Sequence, residues 1–577
     1  MAMRTTTIRA TPIRFASCAP ESGQTVFTLA AVVGAYRACR RRKRATRNAQ
    51  RYEMGLLDHL VDTAQALSGR FWRPSRAVAF VVRRPKAREI LAADFADRVV
   101  HHLLVPRLER QFEPVFIHDC FSNRRGKGTH GAVDRLQTFM RPAHTQAVQQ
   151  HMRLHYLQLD VANFFNSINR RCLFGLVRAR FARDQRRPLA DPRHLSQSDS
   201  DELLGLTRQL LTGNAATGAV LRGTPAEFAL VPEHKRLINA PAETGLPIGN
   251  LTSQFFANVY LNELDQFVKH TLKCRYYVRY VDDMVLLDPD PAVLLRWRDQ
   301  IEQFLFRQLG LRLRDAGLLQ PVSNGVDFLG YVVRPDYRLV RQRVVAHLRE
   351  KLDRYERQIT GQRTPGARSA ALSVGRQDYQ FPADSRALFS MLASYLGHFK
   401  HASSQRLVAS LWTRYPWLAW VVRRSANGHL LPTQSAPGVT SMRGQWRYFK
   451  KRFAPACVLM QVGNRVEMYG TDARRLAQWP NHGGSAVAKI GWAPAEAGLA
   501  WPMALVRGLL QRLTQAGLAW VYVDEQGWLK GGLKQRALRR LHWAPQLSPA
   551  DLQAVNQSQH QQHQHSAMKA VHLGAKP

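Results

Sequence analysis

The sequence predicts an α+β fold in which a large domain is followed by a smaller α/β domain. Two apolar segments, 155–159 and 276–287, are rich in Leu, Val and Tyr and carry acidic residues at one end, as half-buried strands do. Segments with helical spacing surround them, for example 291–310. A stretch rich in Gly, Pro and Ser at 425–438 precedes a second alternation of helices and strands over 441–543.

The composition favours a polyanionic partner. The chain has 83 Lys and Arg against 42 Asp and Glu, so its formal net charge is +41, and the excess is spread along the sequence. Its 577 residues leave room for several domains. The six cysteines form no Cys-x-x-Cys pair, so the sequence indicates neither a zinc module nor a disulfide framework, and a reducing, cytoplasmic setting is expected.

The N-terminal region begins with an arm, 1–30, that we expect to be flexible. The apolar run 25–35 is too short to span a membrane and lacks a small-residue cleavage site, so it predicts one helix and no membrane partner. The basic run 36–47 follows directly. A solvated helix face and a nucleic-acid contact both remain open for it.

Basic residues follow the next predicted strand, 77–82. Lys86 and Arg88 stand between this strand and a helical segment, where their side chains could grip a triphosphate. Further on, the loop 120–130 has two glycines that permit close backbone approach, and it lacks the Gly-Lys-Ser/Thr ending of a Walker A loop. Three of its side chains could contact phosphates: Arg124, Arg125 and Lys127.

Three carboxylates are candidate metal ligands. Asp160 ends one apolar strand, and Asp282 and Asp283 stand at the turn of a predicted β-hairpin, 275–287. An isolated Asp-Asp pair usually marks only a turn. Strand-borne acids that converge, however, can hold two Mg²⁺ ions about 3.5–4 Å apart, the arrangement that clamps the attacking and leaving oxygens in phosphoryl transfer. Mg²⁺ prefers such hard oxygen ligands, and Mn²⁺ is a possible substitute.

The residues around these acids resemble motifs of reverse transcriptases. The three matches are Tyr280-Val-Asp-Asp283, Leu159-Asp-Val-Ala-Asn-Phe-Phe165 and Gly245-Leu-Pro-Ile-Gly-Asn-Leu-Thr-Ser-Gln254. The resemblance extends over roughly residues 30–420, with a primer-grip-like hairpin at 325–331. It implies a right-hand polymerase with fingers, palm and helical thumb, acting as an RNA-directed DNA polymerase. Template RNA, cDNA, RNA–DNA hybrid and dNTPs would be its partners.

The resemblance also implies roles for individual residues. Asp160, Asp282 and Asp283 would be catalytic, and Phe165 would exclude the 2′-hydroxyl of a ribonucleotide. Predicted nucleotide-binding residues are Lys86, Arg88, Phe165, Ile248, Gly249 and Gln254. Predicted template and primer contacts are Arg124, Arg125, Lys127, Phe328, Leu329 and Gly330. Many relatives carry a lysine near 311–317 that protonates pyrophosphate; this chain has only Arg312 and Arg314 there, and arginine is a poor proton donor.

One departure from the family pattern suggests a subtype. Most reverse transcriptases open the third motif with Gln-Gly and close it with Ser-Pro, whereas this chain has Ile248-Gly-Asn-Leu-Thr-Ser-Gln254. This variant resembles the enzymes of diversity-generating retroelements, which copy a template RNA with errors at adenines, and it implies a bacterial or phage-encoded protein with an accessory partner. A defence-associated or other bacterial retroelement enzyme is the alternative. A non-catalytic nucleic-acid scaffold is a second, and the three intact acids argue against it.

The region after the predicted linker, 425–440, reads as α/β, with helices predicted at 446–453, 471–479 and 503–516 and strands at 456–462 and 518–523. Segments 461–469, 501–505 and 523–526 resemble the mismatch-recognition domain of MutS proteins. Where that domain has Phe-x-Glu, this chain has Arg465, Val466 and Glu467, so the acid is present and the aromatic wedge is absent. Two interpretations remain open: binding to the backbone of a duplex through Arg465 and the basic run Lys534–Arg540, and a docking module that only resembles MutS proteins.

The sequence therefore predicts six regions. They are an arm (1–30), fingers and palm (31–337) with an irregular surface elaboration at 185–240, a helical thumb (338–424), a linker (425–440), a MutS-like α/β domain (441–546) and a disordered tail containing Gln and His (547–577).

Overall fold

The structure is a computed structural model that describes most of the chain. The described residues are 25–41, 43–83, 86–361, 377–382, 385–425, 429–436, 438–478, 485–486, 498–529 and 532–543. Most of the predicted arm and the whole predicted tail lie outside them. The chain divides into two compact units, unit 1 up to Tyr337 and unit 2 from Arg338. No helix among the described residues is both long enough and apolar enough to cross a membrane.

Unit 1 contains eleven α-helices and nine strands among its described residues. The helices are α1 (Leu29–Cys39), α2 (Arg47–Met54), α3 (Leu56–Ser68), α4 (Phe95–Phe112), α5 (Thr129–Gln149), α6 (Phe164–Ser167), α7 (Arg170–Gln185), α8 (Gln197–Leu211), α9 (Pro225–Ala229), α10 (Leu251–Gln266) and α11 (Pro291–Leu309). The strands are β1 (Val78–Val82), β2 (Arg88–Ala92), β3 (His155–Leu159), β4 (Val220–Leu221), β5 (Tyr276–Tyr280), β6 (Asp283–Asp288), β7 (Leu318–Pro321), β8 (Val326–Phe328) and β9 (Tyr331–Val333).

The central sheet of unit 1 has the strand order β5-β6-β3-β7, and all of its neighbouring strands are antiparallel. The predicted strand at 155–159 and the predicted hairpin at 275–287 are confirmed as β3 and as β5 with β6. The middle residues of β6 are buried, because α11 and α5 pack against this strand. Helix α10 is itself buried along most of its length and shares the main core with α4.

A second sheet of unit 1 has the order β2-β1-β4. Strands β1 and β2 form an antiparallel hairpin in which Val82 pairs with Arg88. Strand β4 comes from the predicted surface elaboration at 185–240 and lies parallel to β1. The backbone N–H of Leu91 on β2 donates to the Ile248 carbonyl at 3.0 Å, which fixes this small sheet against the segment that leads into α10.

Unit 2 combines the predicted thumb with the predicted C-terminal domain. Its helices are α12 (Gln342–Thr360), α13 (Arg386–Phe399), α14 (Gln405–Arg414), α15 (Leu418–Val421), α16 (Met442–Arg452), α17 (Gly470–Ala477) and α18 (Val506–Gln515). Its strands are β10 (Arg338–Val340), β11 (Gln377–Gln380), β12 (Val422–Arg424), β13 (Leu430–Pro432), β14 (Cys457–Val462), β15 (Arg465–Tyr469), β16 (Ser485–Ala486), β17 (Gly498–Pro502), β18 (Trp520–Trp528) and β19 (Lys534–Trp543).

The main sheet of unit 2 has the order β11-β19-β18-β14-β15-β17-β16. The strands predicted at 456–462 and 518–523 are confirmed as β14 and β18, which pair in parallel. The helices predicted at 446–453, 471–479 and 503–516 correspond to α16, to α17 and to a short 3₁₀ turn followed by α18.

The segment predicted as a linker is instead part of the folded unit. Its described residues include β13, which pairs with β12. The side chain of Gln434 donates to the carbonyls of Leu538 and Pro382 at 2.9 and 2.8 Å. Strand β11, from the predicted thumb, pairs with β19, and a single core cluster joins the predicted thumb helices to the sheet. Composition rich in Gly, Pro and Ser marks turns, but it does not reveal whether other elements cover them.

Candidate active site

Three strands bring the predicted carboxylates to one end of the central sheet. Asp160 follows β3 directly, and the register that pairs Leu159 with Met284 places Asp160 beside the start of β6. Tyr280 pairs with Asp283, so β5 and β6 are joined by a two-residue loop that contains Asp282. The sheet therefore gathers Asp160, Asp282 and Asp283, as the sequence predicts.

The carboxylates of Asp160 and Asp282 interact directly. The pKa of Asp160 is raised from 3.8 to about 6, first by burial and then by the charge of Asp282, while the charge of Arg314 opposes the rise. Burial and the neighbouring charge of Asp283 likewise raise the pKa of Asp282. Two half-buried carboxylates that interact in this way favour a shared proton or a cation between them.

The site has the donors that a divalent cation requires. The Oδ1 atom of Asp160 is buried without a hydrogen-bond partner, and Oδ2 contacts the guanidinium of Arg314. An orphaned carboxylate oxygen beside a second acid fits Mg²⁺, which accepts one or two protein carboxylates and takes its other ligands from phosphates and water. No cluster of three or more His, Cys, Asp or Glu residues arranged to hold a metal occurs in the described part of the chain. Asp160 and Asp282 are the two carboxylates that interact at this end of the sheet.

Arg314 is the arginine that faces the acids. Its backbone N–H donates to the Asp160 carbonyl at 2.8 Å, and its side chain, 52% exposed, reaches the Asp160 carboxylate. The guanidinium of Arg312 instead lies over the ring of Phe306, 4.8 Å from its centroid. Sequence reasoning could not separate the two, because only the register of the segment after α11 decides which side chain points inward.

Several of the residues predicted to bind the nucleotide lie in or beside the segment 245–250. The carbonyl of Phe165 accepts from the Leu246 N–H at 2.8 Å, and the Phe165 ring is half-buried in edge contact with Phe164. Gly249 has φ 114°, and a Cβ built there would lie 2.9 Å from Ile90 Cγ2. Only glycine therefore allows β2 to approach this closely.

The remaining predicted nucleotide contacts lie near this segment. Arg88 is exposed at the start of β2, and Lys86 is exposed just before it. Gln254 is half-buried in the first turn of α10. The structure thus places Arg88 on a strand that is tied to Ile248, which could not be derived from sequence spacing.

Two further residues that hold the segment 245–250 in place were not predicted from the sequence. Asn250 is buried and its Oδ1 accepts from the Ala93 N–H at 3.1 Å, which joins β2 to the start of α10. Arg170 is buried in α7 and donates to the carbonyls of Thr244 and Gly245 at 2.6 and 3.2 Å. No sequence signal distinguishes Arg170 from the other arginines of its helix.

Comparison with known families identifies the part of the chain that carries this site. Residues 83–333 match the sequence profile of the family described as reverse transcriptase (RNA-dependent DNA polymerase). The matched range includes the three carboxylates and the 245–250 segment. Residues 83–333 are a reverse transcriptase domain. No curated protein matches the chain.

Similar solved structures include yeast telomerases. A Candida albicans telomerase in complex with a TWJ fragment of telomeric RNA is 12% identical, with 50% of this chain and 52% of that chain covered and a TM-score of 0.32. An apo telomerase from Candida tropicalis is 10% identical, with 48% and 53% covered and a TM-score of 0.34. The chain spans about half the length of these telomerase chains.

One predicted template contact of the reverse transcriptase domain needs correction. The side chain of Arg124 is only 7% exposed, since it pairs with Glu113 at 2.8 Å and donates to the Ile117 carbonyl at 2.6 Å. Its guanidinium holds the loop in place and is not available to a phosphate. Lys127 donates to the His118 carbonyl at 2.9 Å, whereas Arg125 is exposed.

The predicted primer contacts lie on the hairpin of β8 and β9. Phe328 is fully buried, so its ring is part of the interior. Leu329 and Gly330 form the two-residue turn, with φ values of 51° and 93°, and are partly exposed. Of the three predicted primer contacts, Leu329 and Gly330 are therefore exposed enough to contact a primer strand, and Phe328 is not.

The residues of the predicted MutS-like motif lie on β15 in unit 2. Arg465 is exposed at the start of the strand. Glu467 is buried and accepts a hydrogen bond from the Tyr469 hydroxyl, so it does not face a ligand. In the predicted basic run Lys534–Arg540, Arg536 is buried and donates to Glu525 at 2.9 Å. Lys534 also pairs with Glu525, and Arg539 with Asp524, so three of the four basic side chains of this run contact acids inside the unit.

Proposed function

We propose that the chain copies a template RNA into cDNA by two-metal nucleotidyl transfer. The observation that carries this proposal is the contact between Asp160 and Asp282, with one buried carboxylate oxygen left unpartnered, inside a domain of the reverse transcriptase family. Paired acids at the end of a sheet suit a reaction in which negative charge develops on phosphate oxygens.

Each residue of the site would have a separate role in this reaction. Asp160 and Asp282 would hold Mg²⁺, which supplies an activated 3′-hydroxyl and neutralises charge on the phosphates. Asp283 supports Asp282 from the next position in the chain. Arg88 and Lys86, both exposed, offer positive charge to the triphosphate. Phe165 is half-buried beside the 245–250 segment, where its ring would limit space at the sugar.

Arg314 would favour departure of pyrophosphate through its charge. Its pKa is too high for it to donate a proton efficiently. Proton transfer to the leaving group is therefore not assigned to Arg314, whose side chain is partly exposed.

Primer extension tests the proposal. The full-length chain should extend a DNA primer on an RNA template in the presence of dNTPs and Mg²⁺, and Asp282→Asn should abolish extension. Asp288→Asn is the matched control, because it makes the same change at the far end of the same strand, β6. Absence of extension by the wild-type chain on several RNA templates would refute the proposed activity.

We further propose the diversity-generating subtype, on the basis of Ile248. An aliphatic residue there removes a side-chain hydrogen-bonding group near the template base, and one such bond is worth roughly 0.5–1.5 kcal/mol, enough to change an error rate severalfold. The Ile248 carbonyl is fixed by Leu91, so the side chain can be exchanged while the backbone stays in place. Errors should concentrate opposite template adenines, and Ile248→Gln should lower them. Equal error rates at all four bases, measured by deep sequencing of the cDNA, would contradict the subtype and favour another bacterial retroelement.

For unit 2, we propose backbone binding to nucleic acid through Arg465. The three segments that resemble MutS proteins lie on or next to neighbouring strands, β14, β15, β17 and β18, and Arg465 is exposed on one of them. Arg465→Gln should weaken duplex binding and flatten its salt dependence. Unchanged binding would favour a docking role toward an accessory protein.

A further inference from the structure

The side chain of Arg279 lies buried beneath the loop that carries Asp282. Arg279 on β5 and Asp265 on α10 are both 0% exposed. The guanidinium Nε donates to Asp265 Oδ1 at 2.7 Å, and Nη2 donates to Asp265 Oδ2 at 2.6 Å. This is a bidentate, charge-assisted pair, and the Tyr277 hydroxyl adds a third hydrogen bond to Asp265 Oδ1 at 2.8 Å.

The third nitrogen of the same guanidinium holds the loop. Nη1 donates to the carbonyl of Val281 at 2.8 Å, and Val281 immediately precedes Asp282. Val281 has φ 56°, a left-handed conformation that β-branched residues rarely adopt. It occupies the first central position of a two-residue hairpin loop, where glycine is usually preferred. Such a conformation persists only where the surroundings impose it, and the bond from Arg279 supplies that constraint.

The backbone of Arg279 is itself held in place by two hydrogen bonds. The backbone N–H of Arg279 donates to the Asp119 carbonyl, and its own carbonyl accepts from Phe121 N–H, both at 3.0 Å. Asp265 lies on α10, the helix whose N-terminal end follows the nucleotide-side segment 245–250. The pair therefore ties the carboxylate loop to the element that carries the nucleotide side of the site.

The charges of Arg279 and Asp265 are not required to fill this interior. Replacing a buried ion pair by hydrophobic residues of similar volume is often neutral or stabilising, so packing does not explain the charges. What apolar side chains cannot supply is a donor for the Val281 carbonyl. We propose that Arg279 and Asp265 are positioning residues, and that their buried pair holds the Val281–Asp282 loop in the geometry that nucleotidyl transfer requires. This inference rests on the proposed polymerase activity.

The double variant Arg279→Met/Asp265→Leu separates positioning from packing. It should fold, melt cooperatively and bind RNA as the wild type does. Its kcat should fall at least about tenfold, equivalent to about 1.4 kcal/mol of transition-state stabilisation, while KM for dNTP changes less than about twofold. Hydrogen exchange at the amides of Asp282 and Asp283 should accelerate about tenfold without any metal or substrate present.

Tyr277→Phe is the matched control. It removes a hydrogen bond to Asp265 from the same buried cluster and leaves the bond between Arg279 and Val281 intact. It should leave kcat and the exchange of the loop amides unchanged.

The outcomes are distinguishable. A double variant with wild-type kcat and wild-type exchange overturns the inference. If the double variant does not fold, Arg279→Lys replaces it. One ammonium group keeps the positive charge beside Asp265 but cannot also reach the Val281 carbonyl. An unchanged kcat in the Arg279→Lys variant also overturns the inference. If the wild type extends no primer, the proposed function fails, and the exchange rates alone then decide whether Arg279 holds the loop.

Discussion

Amide substitution at Asp160 or Asp282 removes one negative charge and keeps the side-chain volume. Each substitution should abolish DNA synthesis, because a cation held between the two carboxylates loses one of its ligands. RNA binding should remain nearly intact, since neither residue is placed as a phosphate contact. Primer extension and RNA-binding isotherms measure the two effects. Residual synthesis above roughly a hundredth of the wild-type rate would contradict the metal-ligand assignment.

The raised pKa of Asp160 predicts a pH-dependent stability. Its ordinary value is 3.8 and its value in the folded chain is about 6, so between these pH values the folded state binds more protons than the unfolded state. Stability from this group is therefore greatest below about pH 4 and falls as the pH rises through 6. Without divalent cations, Asp160→Asn should melt at a higher temperature than the wild type at pH 7 and lose that advantage at pH 4. An equal difference at both pH values would contradict the raised pKa of Asp160.

Phe165 should control sugar selection. Its backbone is fixed by the bond to Leu246, whereas its ring is half-buried and contacts Phe164. Phe165→Ala or Phe165→Val should therefore keep the local fold and admit ribonucleotides. Single-nucleotide incorporation assays with dNTP and the matching rNTP test this. Unchanged discrimination would show that the ring serves only to pack the interior, as aromatic residues beside a sheet often do.

At the scale of elements, Asn250 joins β2 to the start of α10. Asn250→Ala leaves the buried Ala93 N–H without a partner, at a cost of about 1–3 kcal/mol, and should also raise KM for dNTP, because β2 carries Arg88. Asn169→Ala is the control. Asn169 caps α7 through Cys172 N–H at 2.8 Å, so its loss costs about 1 kcal/mol and should leave KM unchanged. Equal KM values in both variants would show that Asn250 acts on stability alone.

The elements of the site differ in how far sequence could predict them. The strands that bear Asp160 and Asp282 were predictable, because apolar β-branched runs ending in acids are local patterns. Arg170 and Arg279 were not, because the chain has 83 Lys and Arg and only the fold decides which of them become buried. Arg124 was assigned to the template for the same reason: its charge is visible in the sequence, but its pairing with Glu113 is not.

At the scale of the whole molecule, the decisive feature is the shared core of unit 2. Buried residues of the predicted thumb, such as Leu348 and Trp417, belong to the same hydrophobic cluster as Phe449 and Leu541 of the predicted C-terminal domain. The sequence showed two patterns separated by turn-forming residues and therefore suggested two domains. Contacts between segments far apart in the chain leave no local sequence pattern. The hydrophobic core that the two predicted domains share could therefore not be predicted from the sequence.

A chain that ends at residue 424 should therefore lose the fold of its last part. The truncation removes β19, which pairs with β11, and exposes the apolar faces of α12 and α13 that the cluster covers. Trypsin should cut this shortened chain rapidly within 338–424, whereas the full-length chain should resist cleavage at the same helices and unit 1 should resist in both. Limited proteolysis followed by mass spectrometry measures the difference. Equal protection of α12 and α13 in the two chains would show that the thumb folds independently of the sheet.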